Sequence, residues 1–108
     1  MTEASVQALL KDRDTELMRD RRSVHRKPFV RPLEISIGRG RADVHKGFSR
    51  DISHVGIGTI LPIEVPEGIT AIITVGALNK RRIVVEAQSR WSESFGDGWF
   101  VTGWTFKR

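Results

Sequence analysis

There is no cysteine in this chain of 108 residues. That excludes a disulfide framework and any thiolate metal site, and it agrees with a reducing compartment. No apolar run approaches the roughly 18 residues needed to cross a membrane. The N-terminal stretch carries Glu3, Lys11, Asp12, Arg13, Asp14 and Glu16, so it holds no signal-peptide core. The expectation is a soluble, cytoplasmic protein. His25, His45 and His54 are scattered, without the spacing of a metal site. No Gly-rich Walker loop is present to suggest nucleotide hydrolysis. Ser53 and His54 are neighbours, but adjacent residues on a strand face opposite ways and cannot form a nucleophile–base pair. The chain reads as a non-enzyme with neither metal nor cofactor.

Charge is present, and it is concentrated. The formal net charge is +5. Between residues 19 and 31, Arg19, Arg21, Arg22, Arg26, Lys27 and Arg31 stand against Asp20 alone, a local excess of +5. The remainder is therefore balanced. A cationic stretch confined in this way points to a local anionic partner, or else to a solvated basic linker.

The length allows one domain with a modest core. Residues 3 to 20 lack Gly and Pro, and Val6, Leu9, Leu10, Leu17 and Met18 fall near helical spacing, which predicts an N-terminal helix within 1–20. Its stripe is interrupted from Lys11 to Glu16, so weak packing is expected. Pro28 and Pro32 then make an extended connector. Beyond it the period becomes two. Leu33, Ile35 and Ile37 alternate with polar residues, and Gly38-Arg39-Gly40 reads as a turn. Phe48 to Leu61 forms a second β stretch, bent at Gly56 and Gly58. Pro62, Pro66 and Gly68 mark a loop. Ile69 to Leu78 is an apolar strand and Asn79-Lys80 a turn. Ile83, Val85, Ala87 and Trp91 alternate with Glu86, Gln88 and Arg90, and Gly96-Asp97-Gly98 leads into a last strand from Trp99 to Phe106. About six short strands in so small a chain are best closed into an antiparallel β-barrel, which leaves no exposed edges. The fold class is mainly β: a small six-stranded barrel over 21–108, with a basic arm at 21–32, preceded by the helix. Trp91, Phe100, Trp104 and Phe106 are expected to fill it, leaving no aromatic platform outside.

Two short patterns carry the chemistry. In the second, Asp51 and Ser53 lie two apart on a predicted strand and should share its outer face, while Ile52 and Phe48 point inward. A carboxylate accepts two hydrogen bonds, matching adjacent N–H donors such as those of guanine. Ser53 can donate or accept, and Gly56 leaves the backbone bare for a flat ring or a phosphate. The plain alternative is a strand end with ordinary turn residues. In the first pattern, Arg22 and Arg26 are planar guanidinium forks suited to phosphate oxygens or a guanine edge, with Arg21 as a third cation. The plain alternative there is a basic helix end that favours the helix dipole.

An RxxxR pattern at Arg22 and Arg26, followed 25 residues after Arg26 by DxSxxG at Asp51, Ser53 and Gly56, resembles the PilZ domain family. The likeness extends over residues 19 to 106, with Gly103 inside an aromatic closing strand. The resemblance implies a bacterial receptor for the second messenger cyclic di-GMP. It implies that the arginines grip guanine and phosphate from an arm before the barrel, with Asp51, Ser53 and Gly56 holding the other side on the barrel surface. Arg21 directly before the pattern implies a stacked pair of ligands. Some members of the family carry a long helix after the barrel; here the chain ends at Arg108, and contacts with an effector protein are expected through the N-terminal helix. The alternatives are a nucleic-acid-binding barrel and a PilZ-like adaptor that has lost its ligand. Against the former, exposed aromatics are not expected on the strands.

Overall fold

The computed structural model describes residues 5–6, 8–10, 27–38, 43–76 and 81–108. Within these, alternating apolar residues build seven strands: β1 (Lys27–Pro28), β2 (Pro32–Ile37), β3 (Val44–Ile52), β4 (Gly56–Leu61), β5 (Thr70–Gly76), β6 (Arg82–Gly96) and β7 (Trp99–Phe106). They run in the order β1-β3-β2-β5-β6-β7-β4, every pairing antiparallel. A further pairing of β3 with β4 joins the two ends. β2 to β7 thus form a closed six-stranded antiparallel barrel, and β1 is a two-residue annex on β3. The Phe48-to-Leu61 stretch is two strands rather than one bent strand, because a hairpin at residues 53–55 separates β3 from β4.

The closing seam depends on Gly47. Its inward face lies so near β4 that a Cβ there would collide with the Ile60 carbonyl oxygen and stand 2.9 Å from Leu61 Cδ2. Phe48 is paired with Pro32 on one side and with Ile60 on the other. β3 therefore changes partner at this point, and a side chain on the inside would force the strands apart.

The core contains Leu33, Ile35, Ile52, Ile57, Ile73, Val75, Val85, Trp104 and Phe106 from the strands. Trp104 Nε1 donates to Thr59 Oγ1 at 2.8 Å, and that hydroxyl donates to the Thr102 carbonyl at 3.2 Å, so these three buried polar groups are paired. Ser89, also buried, donates to the Pro66 carbonyl at 2.5 Å and accepts from the Ile69 amide at 2.8 Å, which fastens the 62–69 loop.

Ser5, Val6 and Ala8 to Leu10 are helical, and Val6, Leu9 and Leu10 are buried within the same core. The i, i+3, i+4 spacing of these three aligns them as one stripe. The expected weak packing of the helix is therefore corrected at its start: burial of such side chains contributes about 1.5–3 kcal/mol each. Residues 11–20, where the stripe is interrupted, lie outside the described residues.

Gly47→Ala is expected to destabilise the fold by about 1–3 kcal/mol through overpacking against backbone. Urea unfolding followed by circular dichroism should show the midpoint falling, with the slope unchanged.

Candidate functional site

The two motifs meet at the start of the sheet. Lys27 lies opposite Ile52 and Pro28 opposite Asp51, while Pro32 lies opposite Phe48. The run from Pro28 to Pro32 is thus one residue longer than the run from Phe48 to Asp51 that it follows. The excess is taken up at Phe29, Val30 and Arg31. Ser49, fully buried, holds this bulge: its hydroxyl donates to the Phe29 carbonyl at 2.5 Å and accepts from the Arg31 amide at 2.9 Å. Two backbone bonds flank it, Phe29 N to Arg50 O and Ser49 N to Arg31 O, both 2.9 Å. The Phe29 ring is sunk in the core, with the Arg31 guanidinium 5.1 Å from its centroid. The segment directly after the arginine pattern is therefore fastened alongside Asp51.

The opposite side of β3 carries a second irregularity. Ser49 is paired with Thr59 and Asp51 with Gly58, so Arg50 is an extra residue in the ladder. Such a bulge reverses the alternation of faces. Ser49 points inward, while Arg50 and Asp51 both lie on the outer side. Arg50 donates to Asp51 Oδ2 from Nε at 3.2 Å and from Nη2 at 3.0 Å. Phe48 is half exposed, not inside the barrel as the simple alternation predicts; the bulge at Arg50 is the reason.

Across the outer wall, Asp51, Gly58, Gly103 and Trp91 form one row, paired strand to strand. The two glycines leave the backbone bare. A Cβ at Gly58 would strike Asp51 Oδ1 and lie 3.3 Å from its Cγ, and one at Gly103 would lie 2.8 Å from Trp91 Cζ2. The carboxylate and the indole can lie flat only because no side chain rises beneath them. The Arg50 guanidinium completes the surface, 6.0 Å from the Trp91 ring centroid. A guanidinium, a carboxylate and an aromatic face therefore share one shelf.

Trp91 was expected in the core and is instead 40% exposed. The cause is another bulge: Ser89 faces Trp104 but Trp91 faces Gly103, so Arg90 is extra and the alternation from Ile83 is reversed beyond it. Of the other expected fillers, Trp104 and Phe106 are buried and Phe100 is half-buried. Phe48, Trp91 and Phe95 are exposed at the surface, so the expectation that the strands carry no exposed aromatics is also corrected.

Ser53 is not a strand neighbour of Asp51. β3 ends at Ile52, and Ser53 is buried in the turn, where its hydroxyl accepts from the amides of Val55 and Gly56 at 3.3 Å each. Its own amide donates to the Gly56 carbonyl at 2.9 Å. The turn competes for this hydroxyl and wins. Gly56 opens β4 opposite Thr105, on the same face as Gly58. Arg21, Arg22 and Arg26 lie outside the described residues. Arg50, Trp91, Gly58, Gly103 and Ser49 were not singled out as site residues from the sequence. The signal that could have found the first four is a pair of glycines inside two strands that reading by period places side by side.

No protein-family model matches the chain, and no curated protein sequence matches it. Its fold is similar to several solved structures, two of which follow. One is the Bacillus subtilis inhibitor of motility, MotI/DgrA, with a TM-score of 0.62 and 18% identity over 82% of this chain and 43% of that one. The chain thus spans less than half the length of that protein. The other is the PilZ domain of CeSA from a cellulose-synthesizing bacterium, with a TM-score of 0.56 and 20% identity over 79% of this chain and 84% of that one. The chain has a PilZ-like fold.

Ser49→Ala strands the buried Phe29 carbonyl and the half-buried Arg31 amide, a loss of about 1–3 kcal/mol. If the hydroxyl fastens the bulge at residues 29–31, hydrogen exchange at the Phe29 amide should accelerate roughly 10- to 100-fold. The amides of β5 should accelerate less. Equal acceleration throughout would mean that Ser49 supports the whole barrel and not the bulge.

Proposed function

We propose that this chain is a receptor for cyclic di-GMP that acts in the cytoplasm as an effector rather than as an enzyme. The observation that carries the reading is the register of Lys27 opposite Ile52, which fastens the end of the arginine-bearing segment beside Asp51 and its glycine-floored shelf. Arg26 directly precedes Lys27 in the chain, and Arg22 lies four residues further back. At a maximum of about 3.6 Å per residue, Arg22 can be no more than roughly 18 Å along the chain from Lys27. A chain of that length allows both guanidiniums to reach the shelf.

The chemistry then divides between the two sides. The Asp51 carboxylate accepts from N1–H and N2 of a guanine. The exposed Trp91 face offers a stacking surface, and Arg50 adds positive charge next to it. Arg22 and Arg26, with Arg21, take the phosphates and the second guanine from the arm. Ser53 has a narrower part than the motif suggests: it holds the turn that places Gly56, and its hydroxyl proton remains for a phosphate oxygen. Arg21 beside Arg22 favours a stacked pair of ligands over a single one. Relay to a partner proceeds through ordering of the arm. Movement of the helix near Val6, Leu9 and Leu10 would need their burial to be undone.

A nucleic-acid-binding reading gains one specific observation, the exposed rings of Phe48, Trp91 and Phe95. Single strands stack on such rings beside cationic grooves.

Calorimetric titration with cyclic di-GMP tests the first reading. Each charge-assisted hydrogen bond contributes about 1.5–3 kcal/mol, so loss of the whole fork in Arg22→Ala or Arg26→Ala should cost about 2–4 kcal/mol and weaken binding roughly 30- to 1000-fold, with little change in stability. Loss of stacking in Trp91→Ala should cost about 1–3 kcal/mol of affinity, or roughly 5- to 150-fold. No binding by the unaltered protein at high micromolar ligand would refute the proposal. Titration with single-stranded RNA and DNA separates the other reading, which requires an affinity falling steeply with salt.

A further inference from the structure

A concavity of about 480 Å³ opens on the outer wall, lined by residues that include Glu34, Lys46, Phe48, Gly76, Arg82 and Trp99. It shares no residue with the shelf of Asp51, Gly58, Gly103 and Trp91. Three features set its chemistry. First, the bulge at Arg50 places Phe48 outside the barrel, 47% exposed, and the groove brings it together with Trp99. Second, Gly76, opposite Arg82, leaves a bare stretch of floor: a Cβ there would find nothing nearer than the Pro32 carbonyl at 3.7 Å. Third, the charges are unspent. Lys46 stands directly across from Glu34 in the ladder, yet neither they nor Arg82 have an ion-pair partner within 4.0 Å among the described residues.

We infer that this groove docks a partner protein through a short segment in which an apolar or aromatic side chain sits next to a carboxylate. The ring or aliphatic chain rests between Phe48 and Trp99 over the bare floor at Gly76. The carboxylate lies between Lys46 and Arg82, and the segment's N–H groups face Glu34. The lining carries two cations against one anion, so the complementary occupant is acidic. A phosphate backbone is the poorer fit, because it would set repeating negative charge against Glu34. The volume falls in the range of about 300–1000 Å³ typical of small-molecule pockets, which suits one or two side chains of a segment rather than a whole protein face. The inference names the surface by which the proposed receptor reaches its effector, but the groove stands on its own geometry and not on cyclic di-GMP binding.

A phage-displayed library of random heptapeptides, panned on the full chain and counter-selected on a Phe48→Asp/Arg82→Glu variant, tests it. Enriched peptides should place an apolar or aromatic residue within two positions of Asp or Glu. A synthetic peptide of that sequence should lose at least roughly tenfold in affinity against Phe48→Ala, Lys46→Glu or Arg82→Glu. Circular dichroism identifies any of these variants that fails to fold, and the remaining ones then decide. No enrichment, enrichment of basic peptides, or equal binding to the altered groove overturns the inference. So does a groove that instead binds single-stranded oligonucleotides and loses them on Arg82→Glu. Cyclic di-GMP titrations of the same variants should match the unaltered protein. If the unaltered protein binds the peptides but not the nucleotide, the receptor reading fails and the groove remains.

Discussion

One extra residue in β3 governs much of this molecule. Because Arg50 has no place in the ladder with β4, the faces of β3 are exchanged on either side of it. Ser49 turns inward, where its hydroxyl can hold Phe29 and Arg31. Arg50 and Asp51 turn outward together and pair. Phe48 is put outside, where it lines the groove beside Trp99. A strand without the bulge would hide Phe48 and separate Arg50 from Asp51. A similar extra residue at Arg90 in β6 turns Trp91 outward to meet them. Bulges commonly re-aim side chains next to functional sites, and here two of them assemble one surface from four strands.

Glycine supplies the other half of the design, through space rather than backbone freedom. At Gly58 and Gly103 the missing side chains let a carboxylate and an indole lie against the sheet. At Gly47 the missing side chain lets the barrel close. Along β4 and β7 such substitutions weaken strand propensity, so the sheet tolerates a local cost for a flat outer wall. The buried hydroxyls of Ser49, Thr59 and Ser89 offset part of it by satisfying backbone groups where segments cross.

The pieces of this architecture differ in how plainly they can be read. Leu33, Ile35 and Ile37, or Ile83, Val85 and Ala87, alternate without interruption, and their strands and the closed barrel follow from that period. Val6, Leu9 and Leu10 mark a helix, but their docking depends on an apolar surface that only the assembled strands provide. Asp51 is legible as a candidate because it opens the Asp51–Ser53–Gly56 pattern that follows Arg22 and Arg26. Ser53 misleads: residue spacing gives it the same face as Asp51, while the turn bonds to Val55 and Gly56 take its hydroxyl.

The sequence by itself determined the β class, the number of barrel strands, the concentration of cations before them and the motif positions at Arg22, Arg26, Asp51, Ser53 and Gly56. These are local properties: composition, charge spacing and a period of two. The tertiary structure alone decided the outward turn of Phe48 and Trp91, the pairing of Arg50 with Asp51, the glycine floor and the anchoring of residues 29–31 on Ser49. Each of these depends on register, the match between one strand and another far away in the chain. A bulge displaces that match by one residue and leaves no mark in the hydrophobic pattern on which the reading of single strands relies.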